Sequence, residues 1–219
     1  IILIGEAIAG RGGSGDGQGL ATASVAETTS AGIETSGEEG SGETETEPET
    51  DPNKLKACED PGIDTAVNEY FTARLHSDTD TLYRLFGRTE DTGKEQLAQK
   101  LQAQASWIQS FDGIRVYTMP GLEEDERVCI IRYKINFRRT NTNAAGIMYC
   151  YMTRRSDGSW QILENPDSQR VKYLNEKLQD PDVIAMQDEV DSELHSALAS
   201  DSDLALIYTS FLNGEIYNE

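Results

Sequence analysis

The sequence predicts an α+β fold, with three N-terminal helices packed on an antiparallel sheet and a C-terminal helical extension. Three observations predict this class. Apolar residues recur at helical spacing from residue 63 to residue 108, alternate with polar residues from 114 to 165, and return to helical spacing after Pro166. Because helices that precede a meander of strands cover one face of its sheet, we expect the other face to be wet or paired.

Three helices are predicted first. One lies in "IDTAVNEYFTARLHS", where Ile63, Val67 and Phe71 belong to a single apolar stripe. The second, in "SDTDTLYRLFG", opens on a cluster of capping residues and ends at Gly87. The third, "KEQLAQKLQAQASWIQSF", carries its apolar stripe as far as Ile108.

The strands follow after residue 113. Four strands separated by short turns are predicted at residues 114–119, 127–139, 146–155 and 160–165, which is the pattern of an antiparallel meander. In the long strand 127–139 the odd-numbered residues from Cys129 to Phe137 are apolar and should face the helices. The even-numbered residues should face outward, and those after Val128 and Ile130 are Arg132, Lys134, Asn136 and Arg138. Whether Tyr149 and Tyr151 share that outer face depends on a strand register that the turn leaves open.

The three cysteines, Cys58, Cys129 and Cys150, do not have the spacing of a metal site. A turn at residues 141–143 would place Cys129 opposite residue 155, about five residues from Cys150. At about 3.3 Å per residue the two thiols would lie roughly 15 Å apart, which is too far for a disulfide. We therefore expect buried free thiols.

Composition divides the chain into four segments. Residues 1–10 form an apolar stub that fits the end of a membrane anchor, 11–56 an acidic Gly/Ser/Thr/Glu linker, 57–165 a folded domain, and 166–219 the helical extension. The window 11–53 holds ten of the 39 acidic residues against a single arginine, so we expect it to be disordered. This layout predicts a module tethered outside a membrane, with a cytoplasmic location as the alternative.

The helical stretch "IDTAVNEYFTARLHSDTDTLYRLF", the third helix and the long strands that close on "DGSWQI" resemble the nuclear transport factor 2-like (SnoaL-like) superfamily. The resemblance covers residues 61–165. It implies a cystatin-like α+β cone in an extracytoplasmic bacterial protein, and it implies dimers that form through the outer sheet face. Members include isomerases, dehydratases, polyketide cyclases and protein-transport factors, so the fold leaves the activity open.

An enzyme of this kind needs a buried general base and an oxyanion partner. The inner positions contain no Asp, Glu or His, and Glu69 with Tyr133 is the only weak pair of candidates. Aromatic residues that could line a ligand pocket, or form plain core, are Tyr70, Trp107, Tyr133 and Trp160. No metal-ligand spacing is present, and we expect no metal and no cofactor.

The cationic outer positions Arg132, Lys134 and Arg138 are candidates for an interface with an acidic surface, including a second copy of the chain. Equally, they could serve only to keep a wet sheet soluble. The overall formal charge of −20 argues against nucleic acid as a partner.

We expect a non-catalytic module at a bacterial cell surface, which binds a small apolar ligand or a protein and touches the membrane only through its N-terminal anchor. One alternative is a small-molecule isomerase or dehydratase of the same superfamily. A second is a structural domain that dimerises through the sheet.

Overall fold

A computed structural model of the chain describes residues 53–212. The predicted stub at 1–10, nearly all of the predicted linker at 11–56 and the last seven residues of the extension lie outside this range. Lys56, which the prediction assigned to the linker, lies in a short strand. No helix within residues 53–212 has the length and apolar character needed to cross a membrane.

The described residues form six helices and a five-stranded antiparallel sheet in which neighbouring strands follow chain order, so the α+β class is confirmed. The elements are β1 (Lys56–Ala57), α1 (Pro61–His76), α2 (Thr79–Phe86), α3 (Lys94–Trp107), β2 (Ile108–Pro120), β3 (Glu126–Phe137), β4 (Ala144–Arg154), β5 (Trp160–Ile162), α4 (Ser168–Lys177), α5 (Pro181–Ser200) and α6 (Ser202–Leu212).

The first helices begin where capping chemistry places them. Asp60 caps α1 by accepting from the Gly62 N–H, and Asp78 caps α2 by accepting from the Thr81 N–H. The third helix ends earlier than the sequence pattern predicts. Ile108 starts β2, opposite Phe137, and is almost fully buried. A β-branched residue at a helix end readily joins a strand when a neighbouring strand offers a pairing partner.

The sheet contains more paired residues than the sequence indicates. Strand β2 starts six residues before the predicted position, and its pairing with β3 shifts between Asp112 and Arg115, where Gly113 has φ +60°. Strand β1 was not predicted. It pairs with β2 through only two residues, which is too short for a visible alternation.

The register between β3 and β4 corrects the prediction for the cysteines. Cys129 lies directly opposite Cys150, not opposite residue 155. The chain reverses around Arg139, which has φ +70° and lies two residues before the expected turn at 141–143. Turn residues such as Asn141 and Thr142 instead donate backbone hydrogen bonds to Asp201, at the start of α6. The three cysteines are free thiols.

The two faces of the sheet are now assigned. On one face Tyr133 of β3 packs against Phe71 of α1, with ring centres 4.9 Å apart. On the opposite face Arg132 pairs with Glu189 of α5, and the Tyr149 hydroxyl donates to Gln187 of the same helix. Directly opposite residues share a face, so Tyr149 and Tyr151 lie on the face of Arg132.

Helix α5 covers part of the outer face that was expected to be wet or paired. Its inward side chains are buried, and they are Val183, Met186, Val190 and Leu194. These residues follow helical spacing, so the amphipathic helix buries its stripe against the strands of the meander. Arg115, opposite Arg132 on β2, remains exposed beside it.

Candidate functional site

Aromatic rings fill the space between α1 and the sheet. Phe71 is at the centre, with its ring centre 5.0 Å from that of Phe111, 4.9 Å from Tyr133 and 5.3 Å from Tyr70. Phe71, Tyr70 and Tyr133 are all buried. We call Tyr70, Phe71, Phe111 and Tyr133 the ring cluster. Two of the four predicted ligand-contact residues, Tyr70 and Tyr133, therefore meet in one place.

A buried arginine borders the ring cluster. Arg74 of α1 is only 7% exposed, and its guanidinium donates to the Gln104 side-chain oxygen at 3.3 Å and to the Tyr70 hydroxyl at 3.4 Å. The same guanidinium lies 5.5 Å from the centre of the Phe111 ring. Arginine stays charged at any ordinary pH, so Arg74 places a positive charge at the edge of the ring cluster.

Sequence analysis did not find Arg74 or Gln104 as site residues, although a signal was present. Arg74 follows Tyr70 by four residues and Phe71 by three, which places it on the apolar stripe of α1. Gln104 follows Leu101 by three residues on α3 in the same manner. Polar residues that interrupt an apolar stripe are candidates for buried polar contacts.

The two candidate catalytic residues do not come together. Glu69 lies on the partly exposed side of α1 and forms an ion pair with Arg84 of α2 at 2.8 Å. Tyr133 is buried against Phe71 and Phe111. The base and the oxyanion donor proposed from the sequence thus have separate partners.

Trp160 belongs to a different place from the ring cluster. Its indole N–H donates to Asp60 at the start of α1, and its ring lies 5.9 Å from the guanidiniums of both Arg127 and Arg154. A side chain at Gly62 would come within 2.9 Å of the indole, so this glycine lets α1 begin directly on the ring. An open cleft of about 500 Å³ lies over this corner.

Trp107 is the last residue of α3 and is partly buried against the core. Its carbonyl accepts from the Arg138 N–H at 2.8 Å, which joins the end of α3 to the end of β3. The structure shows no ring stacking between Trp107 and the ring cluster.

Two of the three predicted interface residues, Arg132 and Lys134, lie beside α5. Arg132 pairs with Glu189 at 2.9 Å and Glu193 at 3.2 Å, and Lys134 pairs with Glu193 at 3.2 Å. Arg138, just beyond β3, is exposed. Part of the basic face that the sequence displayed is therefore balanced by carboxylates of the same chain.

A buried polar cluster fastens α4 to the far end of this face. The carboxylate of Glu126 accepts from Tyr151 at 2.5 Å and from the guanidinium of Arg170. The Tyr151 hydroxyl accepts from the Leu122 N–H at 2.7 Å. Burial alone would raise the pKa of Glu126, but these hydrogen bonds outweigh it and hold the pKa below its usual range.

The described part of the chain contains no candidate metal site. Within residues 53–212 no three His, Cys, Asp or Glu side chains are placed to hold a metal ion together.

Comparisons with known proteins add little. No protein-family model matches the chain, and no curated protein matches it. Among solved structures, a variant of a protein of unknown function from Mycobacterium tuberculosis is similar at 16% identity and a TM-score of 0.33. The match covers 63% of this chain and 89% of that one.

Proposed function

We propose that this chain is a non-catalytic protein-binding module, held at the outer surface of a bacterial membrane by its N-terminal segment. The observation that carries the proposal is the ring cluster. Phe71, Tyr133 and Phe111 occupy the space between α1 and the sheet, where a substrate would have to bind. The separation of Glu69 from Tyr133 also favours a module without acid–base chemistry.

The order of the elements supports the proposed family likeness. Three helices precede a meander that closes on "DGSWQI", which is the order expected of a nuclear transport factor 2-like domain. In this proposal the sheet curls around the ring cluster as a filled cone, and α4–α6 are an addition to that domain. The apolar start of the chain and the acidic stretch after it would serve as anchor and spacer.

The proposed contact surface is the cationic strip, which we define as Arg115, Lys134 and Arg138. Arg115 lies directly opposite Arg132, and like charges in that arrangement repel each other. Carboxylates of α5 approach Arg132 and Lys134, whereas Arg115 forms no ion pair with any residue of the range 53–212. The strip therefore keeps exposed positive charge that an acidic partner would offset.

We infer that the partner is a second copy of the chain. Residues 181–212 contain no lysine or arginine, and their acidic residues are Asp182, Asp188, Glu189, Asp191, Glu193, Asp201 and Asp203. Exposed Asp188 and Ile184 lie one turn apart on the outward side of α5. A two-fold pair would set the strip of each copy against α5 of the other, so that both contacts form together.

Sedimentation equilibrium of the full chain tests this interface. Arg115→Glu should weaken a dimer at least tenfold, and raising the salt concentration should weaken the wild-type dimer because the contact is electrostatic. Lys100→Glu is the matched control, since it makes the same charge change at an exposed position on α3. A wild-type chain that stays monomeric at high concentration would contradict the proposed dimer. Equal effects of Arg115→Glu and Lys100→Glu would contradict the assignment of the cationic strip as its contact surface.

The alternative function is a small-molecule isomerase or dehydratase. The specific observation in its favour is the Arg74 guanidinium, which donates to the Tyr70 hydroxyl beside the ring cluster that contains Tyr133, because a phenol and a guanidinium can stabilise an oxyanion. Turnover of small carbonyl substrates that Tyr133→Phe abolishes, without a change in melting temperature, would favour the enzyme over the binding module.

A further inference from the structure

The cysteine pair at the centre of the sheet has a geometry that no function proposed above uses. Cys129 and Cys150 are directly opposite each other on the two antiparallel strands β3 and β4. Both are buried, at 0% and 2% exposure. The neighbouring Cys150 thiol and burial together raise the pKa of Cys129, as expected for two thiols close to each other in an apolar layer.

The hydrogen bonds of the sheet define the spacing of this pair. The Arg154 N–H donates to the Asp125 carbonyl at 2.8 Å, which marks these two as hydrogen-bonded partners. Such pairs recur every two residues along an antiparallel ladder, so Cys129 and Cys150 are also a hydrogen-bonded pair. The Cα atoms of such a pair are about 5.5 Å apart, within the range of about 4.4–6.8 Å that disulfides span.

We propose that Cys129 and Cys150 form a disulfide when the chain folds in an oxidising environment. A Cys129 or Cys150 thiolate attacks one sulfur of a small-molecule disulfide, giving a mixed disulfide and releasing one thiol. The second cysteine loses its proton and displaces the remaining thiol, which forms the Cys129–Cys150 bond. Two protein thiols are oxidised and one disulfide of the oxidant is reduced to two thiols.

The burial of the pair determines when this reaction can occur. In the folded chain both cysteines lie in the core under α1, so an oxidant reaches them only before that layer closes. The strands β3 and β4 are neighbours in the chain and can pair early. Oxidation is therefore a step of folding and not a reaction of the finished domain.

Cys58 is excluded from the pair by its position. It lies beyond β1 at the sheet edge, where its N–H donates to the Val116 carbonyl and its thiol lies 3.5 Å from the Asp60 carbonyl. Strand β2 separates it from Cys129. The proposed bond leaves Cys58 as the single free thiol among the three cysteines of the chain.

The bond would fix the register of β3 and β4, two long neighbouring strands of the meander. A slip of one residue would turn Cys129 to the opposite face and expose the apolar side of β3. Because hydrogen-bonded pairs hold the Cβ atoms about 5.5 Å apart and disulfides prefer about 3.8 Å, the bond should be strained in the folded sheet, and unfolding should relieve that strain.

Refolding and thiol counting test the proposal. The full chain is unfolded in urea and refolded with either oxidised or reduced glutathione. It is then denatured and alkylated with N-ethylmaleimide. We expect one labelled cysteine after oxidised refolding and three after reduced refolding. A non-reduced digest should contain a linked peptide pair with Cys129 and Cys150. The folded, reduced chain should form the bond at least tenfold more slowly than the refolding chain.

Single substitutions identify the partners. Cys58→Ser should still lose two thiols on oxidised refolding, whereas Cys129→Ser should leave Cys150 fully labelled. Three labelled cysteines in a correctly refolded oxidised sample would overturn the proposal, and so would a linked peptide that contains Cys58. A bond that forms equally fast in the folded chain would overturn the role assigned to burial.

Discussion

The two sides of the sheet are held by different interactions. On the α1 side, contact is made by rings and aliphatic side chains, with Phe71 at the centre of the ring cluster. On the α4–α5 side, apolar residues such as Val190 are joined by charged and polar contacts. These include Glu126 with Arg170 and Arg132 with Glu189.

This difference predicts how pH and salt should affect each side of the sheet. Apolar packing is insensitive to moderate changes in pH and salt, whereas ion pairs and hydrogen-bonded carboxylates respond to both. We therefore expect the C-terminal helices to loosen before α1 does as the pH falls. The largest effect of a single substitution should nevertheless come from the ring cluster.

Phe71→Ala should be the most destabilising change. It empties a fully buried ring position, and such substitutions lower the free energy of unfolding by about 3–5 kcal/mol. Urea unfolding followed by fluorescence measures this loss. Leu206→Ala is the control, because Leu206 is 69% exposed and its truncation should change the free energy of unfolding by less than about 0.5 kcal/mol. Similar losses in the two variants would contradict the assignment of the core.

Glu126→Gln should weaken the other side of the sheet by a smaller amount. The change leaves Arg170 without the buried carboxylate and should lower the free energy of unfolding by about 2 kcal/mol, less than for a fully buried pair because Arg170 is partly exposed. Hydrogen exchange should accelerate in α4 and not in α1. Glu176→Gln, in an exposed pair with Lys172, should have almost no effect. Faster hydrogen exchange in both α1 and α4 would contradict the expected difference between the two sides of the sheet.

Asp201 makes the contact between α6 and the turn after β3 sensitive to acid. Its carboxylate accepts from the Leu204 N–H in α6 and from the Asn141 and Thr142 N–H groups in the turn after β3, and these bonds lower its pKa to about 2. A lowered folded-state pKa stabilises the fold above the unfolded pKa of about 4, and this stabilisation is lost as the pH falls towards about 2.

Melting curves at pH 6 and pH 3 measure the effect of Asp201. The melting temperature of the wild type should fall more between pH 6 and pH 3 than that of Asp201→Asn, which has no charge to lose at that position. At pH 6 the variant should melt a few degrees below the wild type. If the melting temperatures of the two proteins fell equally between pH 6 and pH 3, the loss of stability in acid would not come from protonation of Asp201.

Asp191→Asn should be mildly stabilising. One carboxylate oxygen of Asp191 is buried without a hydrogen-bond partner among residues 53–212, and burial raises its pKa. A raised folded-state pKa opposes folding above it, so removing the charge should add about 0.5 kcal/mol at pH 7. The gain should disappear below about pH 4, where both proteins are neutral at this position. A variant that melts below the wild type at pH 7 would contradict this.

Local patterns of the sequence predicted the helices well. Asp78 and Gly87 mark the two ends of α2 because a cap needs only neighbouring residues. The alternation in β3 also identified which residues face α1. The apolar stripe of α5 could be predicted from the sequence. The surface that it covers could not, because amphipathicity does not specify which surface a helix packs against.

The site was predicted only in part. Tyr70 and Tyr133 meet at Phe71, as a shared inner face suggests. Trp160 lies instead under Arg127 and Arg154, because β5 brings it to the start of α1. Each of these contacts joins residues from different elements, and no local spacing encodes them.

The sequence by itself determined the types of the elements other than β1 and most of the buried faces, since periodicity is a property of consecutive residues. Only the tertiary structure decided the register that sets Cys129 against Cys150, the ion pairs of Arg132 with α5, and the contact of Arg74 with Gln104. These depend on where the chain reverses and on which helix covers which strand, so residues far apart in the sequence determine them jointly.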